Sequence, residues 1–386
     1  MNTFRTFFHF RIVGALLAGL VIVFVGWQGW QMNQNLQQEQ LVLRKQTEQL
    51  SQELSDLKHQ DQYVINQKLE EEIGSIQKTY GDAVGSYEEL LLWKPYAKDT
   101  SKLDELFADA LAMLAKRNYA SASAVIAALR TGIREERAKN AAVSSVPANV
   151  AVNNAAPASG YSRQRVDTDA GSFLVDIIAG DLSSTRVIVD TASDGTCTKD
   201  CPVTSLGDYV SRSGAYAGVN GSYFCPAEYP SCTDKKNSFD TLLMNKNKVY
   251  FNSDNNVYST VPAVIFLGGS VRFVGQSLEW GRDTGVDGVI ANRPALVMGG
   301  NIVFSGEGEP KEGNRGNRSF VANKGNVVYI GVVHGASVAE SAKVMKALGM
   351  DNALNLDNGG STALWSGGYR VGPGRNIPNA ILFVRK

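Results

Sequence analysis

The chain has no excess of charge of either sign: 38 lysines and arginines balance 38 aspartates and glutamates over 386 residues. Nucleic-acid binders usually carry a basic excess on one face, so this balance argues against DNA or RNA as a partner. Histidine is scarce. His9, His59 and His334 are the only three, and no G-x-S-x-G segment occurs, which argues against a Ser-His-Asp hydrolase. Cysteine is limited to four residues, all between positions 197 and 232. Between residues 31 and 137 proline is nearly absent, Pro95 being the exception. Glycine, by contrast, reaches 38 and falls mostly after position 160, which separates a helix-permissive first part from a turn-rich second one.

Long apolar runs are also rare; the first part holds one. Residues 12–27 read IVGALLAGLVIVFVGW, uncharged and preceded by Arg5 and Arg11. Extending the run to Trp30 admits only Gln28 and gives about 19 residues, roughly what a helix needs to cross hydrocarbon. Trp27 and Trp30 suit a membrane interface, and the upstream arginines favour a cytoplasmic N-terminus. No small-residue cleavage site follows, so residues 1–30 are expected to be an uncleaved single-pass anchor in an inner or cytoplasmic membrane. The rest would then be extracytoplasmic, in the periplasm or at the cell surface. Within residues 31–140, Leu36, Leu43, Leu50, Leu57 and Val64 recur at seven-residue steps, the mark of one coiled-coil seam. Gln40, Thr47 and Asp61 interrupt the second seam. A helical, coiled-coil stalk is expected, a spacer able to form a homodimer. Residues 141–160, rich in Ala, Ser, Asn and Pro, read as a flexible linker.

From residue 161 to 386 the pattern turns to short β-type runs broken by Gly, Asn and Asp. Candidate strands are 173–179, 186–190, 263–267, 271–274, 295–298, 327–333 and 381–384. Residues 337–348 are helical in pattern, with Val338, Ala342, Met345 and Leu348 on one face and Gly349 as a stop. An α+β fold follows: a strand-rich C-terminal domain with one or two packed helices. Cys197, Cys201, Cys225 and Cys232 suggest two disulfides in an oxidising compartment. Local pairing is the simplest of three connectivities, and a zinc site is the alternative.

Three segments could carry chemistry. The first is Gly218-Val219-Asn220-Gly221-Ser222-Tyr223-Phe224, which alone reads as a hairpin turn. The second, Arg315-Gly316-Asn317-Arg318-Ser319-Phe320, leads into a strand; a guanidinium fork suits a pair of phosphate oxygens. In the third, Ala353-Leu354-Asn355-Leu356-Asp357-Asn358-Gly359-Gly360-Ser361-Thr362, an apolar strand runs into a carboxylate, two glycines and two hydroxyls. Backbone N–H groups freed by such glycines can form an anion-binding nest.

Taken in order, GVNGSYF, the Arg318 strand followed by a helix ending in ALG, NLDNGGST and a closing GRNIPNAIL resemble the phosphodiester glycosidases over residues 176–384. The family includes enzymes that remove N-acetylglucosamine from a sugar-1-phosphate diester. By position, the resemblance implies catalytic roles for Asp357, Arg318 and Asn220. It implies substrate contacts from Ser222, Asn355, Gly359, Gly360, Ser361, Arg375 and Asn379, with His334 as a secondary candidate. Asn358 stands where the family has glycine, His334 where it often has an acid, and Gly374 where it usually has glutamate. The implied substrate is a glycan or sugar-phosphate. Hydrolysis at an anomeric carbon builds oxocarbenium character that Asp357 would stabilise or attack. Arg318 and Arg375 would neutralise the departing phosphate. Asp240, Asp283, Asp287 and Glu307 are candidates for a second acid, none of them placed by the sequence. No cofactor is implied; Asp- and Asn-rich loops leave room for a structural calcium, although no calcium-loop motif occurs.

Overall fold

The structure, a computed structural model, describes residues 4–58, 61–94, 97, 99–143, 149–254, 260–306 and 313–386. Pro95, residues 144–148 of the expected linker, and Glu307 lie outside the described residues. The chain divides into two compact units, Met1–Lys78 and Thr79–Lys386.

The first unit is dominated by α1 (Phe4–Lys58), a single helix of 55 residues. It corrects the expected membrane anchor and, with it, the single-pass membrane placement. Among the described residues no helix is long and apolar enough to cross a membrane. The apolar run at 12–27 passes without a break into glutamine-rich polar sequence along the same helix. Further along α1, Leu36, Leu43, Leu50 and Leu57 are exposed.

Helix α2 (Asp61–Trp93) runs across the division between the units. In the second unit its last turns pack with α3 (Ser101–Ala115) and α4 (Tyr119–Val143). Leu90 and Trp93 meet Leu103, Leu129 and Ile133, while Ala83 meets Ala110, Leu114, Ala122 and Ile126. Leu103, Phe107, Ala110 and Leu114 follow the three- and four-residue spacing that keeps one helix face apolar.

The strand-rich part begins at β1 (Gly160–Thr168) and continues through β2 (Gly171–Asp181), β3 (Thr185–Thr191), α5 (Leu206–Ser213) and β4 (Ala217–Asn220). Short strands β5 (Leu243–Met244) and β6 (Tyr250–Phe251) precede β7 (Ala263–Leu267), β8 (Ser270–Val274), β9 (Gly288–Ala291), β10 (Ala295–Met298) and β11 (Asn301–Ile302). Then come β12 (Gly316–Lys324), β13 (Val327–Ala336), α6 (Val338–Ala347), β14 (Asn352–Asn358), β15 (Leu364–Ser366), β16 (Tyr369–Val371) and β17 (Asn379–Arg385). They form three antiparallel sheets, in the orders β1-β2-β13-β12-β14-β10-β11, β16-β15-β4-β17-β3 and β6-β5-β9-β7-β8. All seven strands expected from the pattern are present: β7 and β10 at the expected bounds, the others extending beyond them at one or both ends.

The main core lies where the sheets face one another, with Ile178, Val189, Val219, Ile290, Val321, Leu356 and Phe383 buried together. Helix α6 covers the other face of the seven-stranded sheet through Val338, Ala342 and Met345. Its start is set by Ser337, whose hydroxyl accepts from the Glu340 amide while Glu340 reaches back to the Ser337 amide. The four cysteines pair locally, as Cys197–Cys201 and Cys225–Cys232.

Candidate active site

Strand ends from two sheets converge on Asp357. Strand β4 runs out through Gly221 and Ser222, β17 opens at Asn379, β12 opens beside Arg318, and β14 closes with Asp357 and Asn358. Arg318 pairs with Asn358 while Phe320 pairs with Asn355, so β14 carries one extra residue across Leu356 and Asp357. A bulge of this kind re-aims side chains at a sheet edge. Here it coincides with the acid.

Asn220 is fully buried and all of its polar atoms are used. Its amide nitrogen donates to the Asp357 carbonyl at 2.7 Å, and its oxygen accepts from the Ser319 hydroxyl at 2.7 Å and the Ala363 amide at 3.1 Å. Asn379 is engaged in the same way: its oxygen accepts from the Ser222 amide at 2.8 Å and its nitrogen donates to the Ser222 hydroxyl at 3.0 Å. Asn355 donates to the Tyr223 hydroxyl at 2.8 Å and to the Arg293 carbonyl at 3.1 Å, and it accepts from Asn358 at 3.2 Å. These four residues form a buried frame, and Asn220, Ser222, Asn355 and Asn379 do not line the cavity described next. A frame whose hydrogen bonds are all satisfied fixes position without facing a ligand.

A cavity of about 600 Å³ is lined by Asp357, Asn358, Gly359, Ser361, Arg318 and Arg375 together with Tyr223 and Tyr229. Arg137, Arg293 and Arg315 also reach it, whereas Asp240 is the one other carboxylate on its wall. Asp283 and Asp287 do not reach it; Asp287 pairs with Arg186 at 2.7 Å. Burial pushes the Asp357 carboxyl up to about 6 from an ordinary 3.8, against the Ser361 hydrogen bond, the Arg375 charge and the Asn358 amide, which donates to it at 2.8 Å. Burial likewise pushes the Tyr223 phenol up to about 12, with Asp357 adding to the rise. The Tyr223 hydroxyl receives hydrogen bonds from both Asn355 and Asn358 at 2.8 Å. Asn358 therefore does more than fill the place of a glycine: it links Tyr223 to β12 by accepting from the Ser319 amide at 3.1 Å.

Arg318 is buried and oriented by its own strand neighbourhood. Its Nε donates to the Ala336 carbonyl at 2.9 Å and its Nη2 to the Asn314 carbonyl. Arg375 stacks 5.2 Å from the Tyr229 ring, and its backbone amide donates to the Gly360 carbonyl at 2.8 Å. A Cβ on Gly360 would stand 2.4 Å from the Arg375 Nη2. That atom is the end of a flexible side chain, so Gly360→Ala is expected to fold normally while displacing the guanidinium. Steady-state kinetics should show kcat/KM reduced by about tenfold or more, with an unchanged unfolding midpoint.

His334 sits apart from this cavity. It lies 2.6 Å from the Asp176 carboxylate through Nε2 and 3.1 Å from Asn317 through Nδ1. Tyr161 donates to the other Asp176 oxygen at 2.5 Å. Burial pushes the Asp176 carboxyl up, but the bonds from His334 and Tyr161 hold it below its ordinary value. Among the described residues no three His, Cys, Asp or Glu side chains converge as a metal-holding group.

Residues 213–384 match the family model for phosphodiester glycosidases. This part of the chain, less than half of it, is similar to a phosphodiester glycosidase domain. The match includes every site residue the motifs pointed to and begins later than the expected 176; α1 to α4 and β1 to β3 fall outside it. No curated protein matches the chain. Among solved structures, the chain is similar to the catalytic domain of zebrafish N-acetylglucosamine-1-phosphodiester alpha-N-acetylglucosaminidase, auto-inhibited by its pro-peptide. Identity there is 16% and the TM-score 0.47, over 61% of this chain and 87% of that one. It is also similar to a hypothetical protein from Synechocystis, at 14% identity and a TM-score of 0.41, over 58% of this chain and 62% of that one. A putative exported protein from Burkholderia pseudomallei gives 12% identity and a TM-score of 0.36, over 55% of this chain and 74% of that one.

Tyr223 and Tyr229 belong to the cavity although no role was expected of them. Tyr223 stands within GVNGSYF, so its motif was visible even though its phenol was not singled out. Tyr229 lies inside the loop closed by Cys225–Cys232, and nothing in the spacing connects it to Arg375.

Proposed function

We propose that this domain hydrolyses a glycosyl phosphodiester, a sugar linked through its anomeric carbon to phosphate, of the N-acetylglucosamine-1-phosphodiester kind. One observation carries the reading: a single buried acid, Asp357, shares its cavity with five arginines. Such a cavity favours a substrate that is anionic at one end and can develop positive charge at the other. The bond from the anomeric carbon to the phosphate oxygen breaks and a water oxygen takes its place on that carbon, the spare water proton passing to the released phosphate or to solvent. Ionised Asp357 stabilises the oxocarbenium character of the transition state or captures the carbon covalently. The electron pair leaves with the phosphate, whose growing charge meets Arg318 and Arg375 already held in place by the protein. Because phosphate leaves more readily than an alkoxide, charge neutralisation matters more here than proton donation. Asn220, Asn355 and Asn379 support the reaction by fixing the strand ends rather than by touching the sugar.

The test uses the full chain with a chromogenic N-acetylglucosamine-1-phosphodiester. Wild type is expected to release sugar, and Arg318→Ala to lower kcat by roughly 10²- to 10³-fold while remaining folded. Absence of release from a folded wild-type chain, tried across several sugars, would overturn the hydrolase and leave a glycan-binding cavity.

A further inference from the structure

The helical part of the second unit, outside the family match, reaches the cavity. Leu92 and Trp93 from the end of α2 and Arg137 from α4 all line it. Leu92 lies against the loop that follows Asp357: a Cβ on Gly359 would stand 3.1 Å from the Leu92 Cδ2, and Gly359 itself adopts a φ of +65°. Four residues earlier on α2, buried Glu88 accepts hydrogen bonds from the Ser231 amide at 3.2 Å and from the Ser231 hydroxyl. Ser231 belongs to the disulfide loop that carries Tyr229, on which Arg375 stacks. Two separate contacts therefore seat α2 on the segments that hold Asp357 and Arg375.

Arg137 donates through Nη2 to the Glu89 carbonyl at 2.9 Å, near the C-terminal end of α2. Burial lowers its basicity, opposed by nearby Glu89. A guanidinium that has lost water in this way gains more from an anion in the cavity than an exposed one would. Leu92 and Trp93, from the helix whose Glu89 carbonyl Arg137 holds, add apolar surface to the cavity wall. A cation and apolar side chains brought in by the same helices fit a phosphate that carries an apolar or aromatic group.

We infer that the helices complete the substrate pocket: Arg137 binds the phosphate, and Leu92 with Trp93 receives an apolar or aromatic group beyond it. The inference rests on the glycosyl phosphodiester reading and assigns the specificity of that same site. Any structural role of Arg137 at the end of α2 would show as a changed unfolding midpoint, whereas a binding role shows in affinity.

Calorimetry on the full chain with two probes, inorganic phosphate and phenylphosphonate, separates the possibilities. Phenylphosphonate is expected to bind about tenfold tighter than phosphate. Leu92→Ala should remove most of that advantage without weakening phosphate. Arg137→Gln should weaken both probes by about tenfold, and Arg137→Lys should recover part of the loss. Unfolding midpoints should stay at the wild-type value. If both variants bind both probes like wild type, or if wild type binds neither, the inference is overturned. Sugar release with unchanged probe affinities would sink the helical subsite and leave the glycosidase. Probe affinities that respond as expected, with no release of any sugar, would sink the glycosidase and leave the subsite.

Discussion

Replacing Asp357 with asparagine is expected to abolish sugar release and, at neutral pH, to make the protein more stable. The carboxyl is buried, and its proton is held up to about 6 against an ordinary 3.8. Between those values the folded state keeps a proton that the unfolded chain gives up. Stability is thus highest at low pH, as far as this group is concerned, and is lost as pH rises through about 6. Two units correspond to about 3 kcal/mol at most. An amide of the same shape carries no charge to desolvate, so the variant should not show that loss. Thermal unfolding of both proteins from pH 4 to pH 8 checks this: the variant's advantage should open between about pH 4 and pH 6 and stay constant above. Superimposable curves would mean that the acid is solvated rather than buried. Turnover should move the other way, since the proposed step needs the carboxylate. Wild-type kcat should rise with pH around a midpoint near 6, and the variant should lose roughly 10³-fold or more. A midpoint near the ordinary aspartate value would assign the rate to a different group.

The contrast between stability and turnover at one residue also explains what could be read from the sequence. Strands such as β7 and β13 announce themselves as unbroken, β-branched-rich apolar runs, because a strand in the middle of the core is buried on both faces. Helix α6 does so because Val338, Ala342, Met345 and Leu348 fall on one face and Gly349 ends it. Helix α5 has eight residues, too few turns for its periodicity to stand out, although Ser205 and Asp208 supply its cap. The apolar run at 12–27 shows the opposite failure: its hydropathy suggests a span, whereas α1 continues well beyond it as one helix. At the site, glycine, asparagine and arginine in ordered segments indicated which loops converge. They did not indicate which side chains face the ligand. Asp357, Arg318, Ser361, Gly359 and Arg375 line the cavity, while Asn220, Ser222, Asn355 and Asn379 lie behind it and His334 belongs with Asp176. A polar residue beside a catalytic one can serve the ligand or the backbone, and only the hydrogen-bond partners distinguish the two. Arg137 carries no sequence signal at all, because it reaches the cavity through the packing of a helix remote in the chain.

Gly221→Ala is expected to be the most damaging of the small substitutions. An added Cβ would stand 1.9 Å from the Asn379 Oδ1 and 2.9 Å from the Asn379 carbonyl oxygen. Neither atom is free to withdraw. The side-chain oxygen accepts from the Ser222 amide at 2.8 Å, and the carbonyl accepts from the Gly221 amide itself at 3.0 Å. Moving the turn away instead would break the bond by which the Gly221 carbonyl accepts from the Asp357 amide at 2.9 Å. Every relaxation therefore breaks part of the frame that ties β4, β14 and β17 together. Overpacking with loss of buried hydrogen bonds should cost about 2–4 kcal/mol, read as a fall in the urea midpoint, and turnover should fall with it. Gly195→Ala, where a Cβ meets nothing within 4 Å, should unfold like wild type and serves as the control. The comparison with Gly360→Ala is the informative one. There the obstacle is a movable guanidinium, so turnover should be lost while the fold survives. At Gly221 the obstacle is a hydrogen-bonded strand end, so the two should be lost together. If Gly221→Ala kept the wild-type midpoint and lost only turnover, β4 and β17 would not be held at this separation, and the buried asparagines would have to be assigned to the substrate instead.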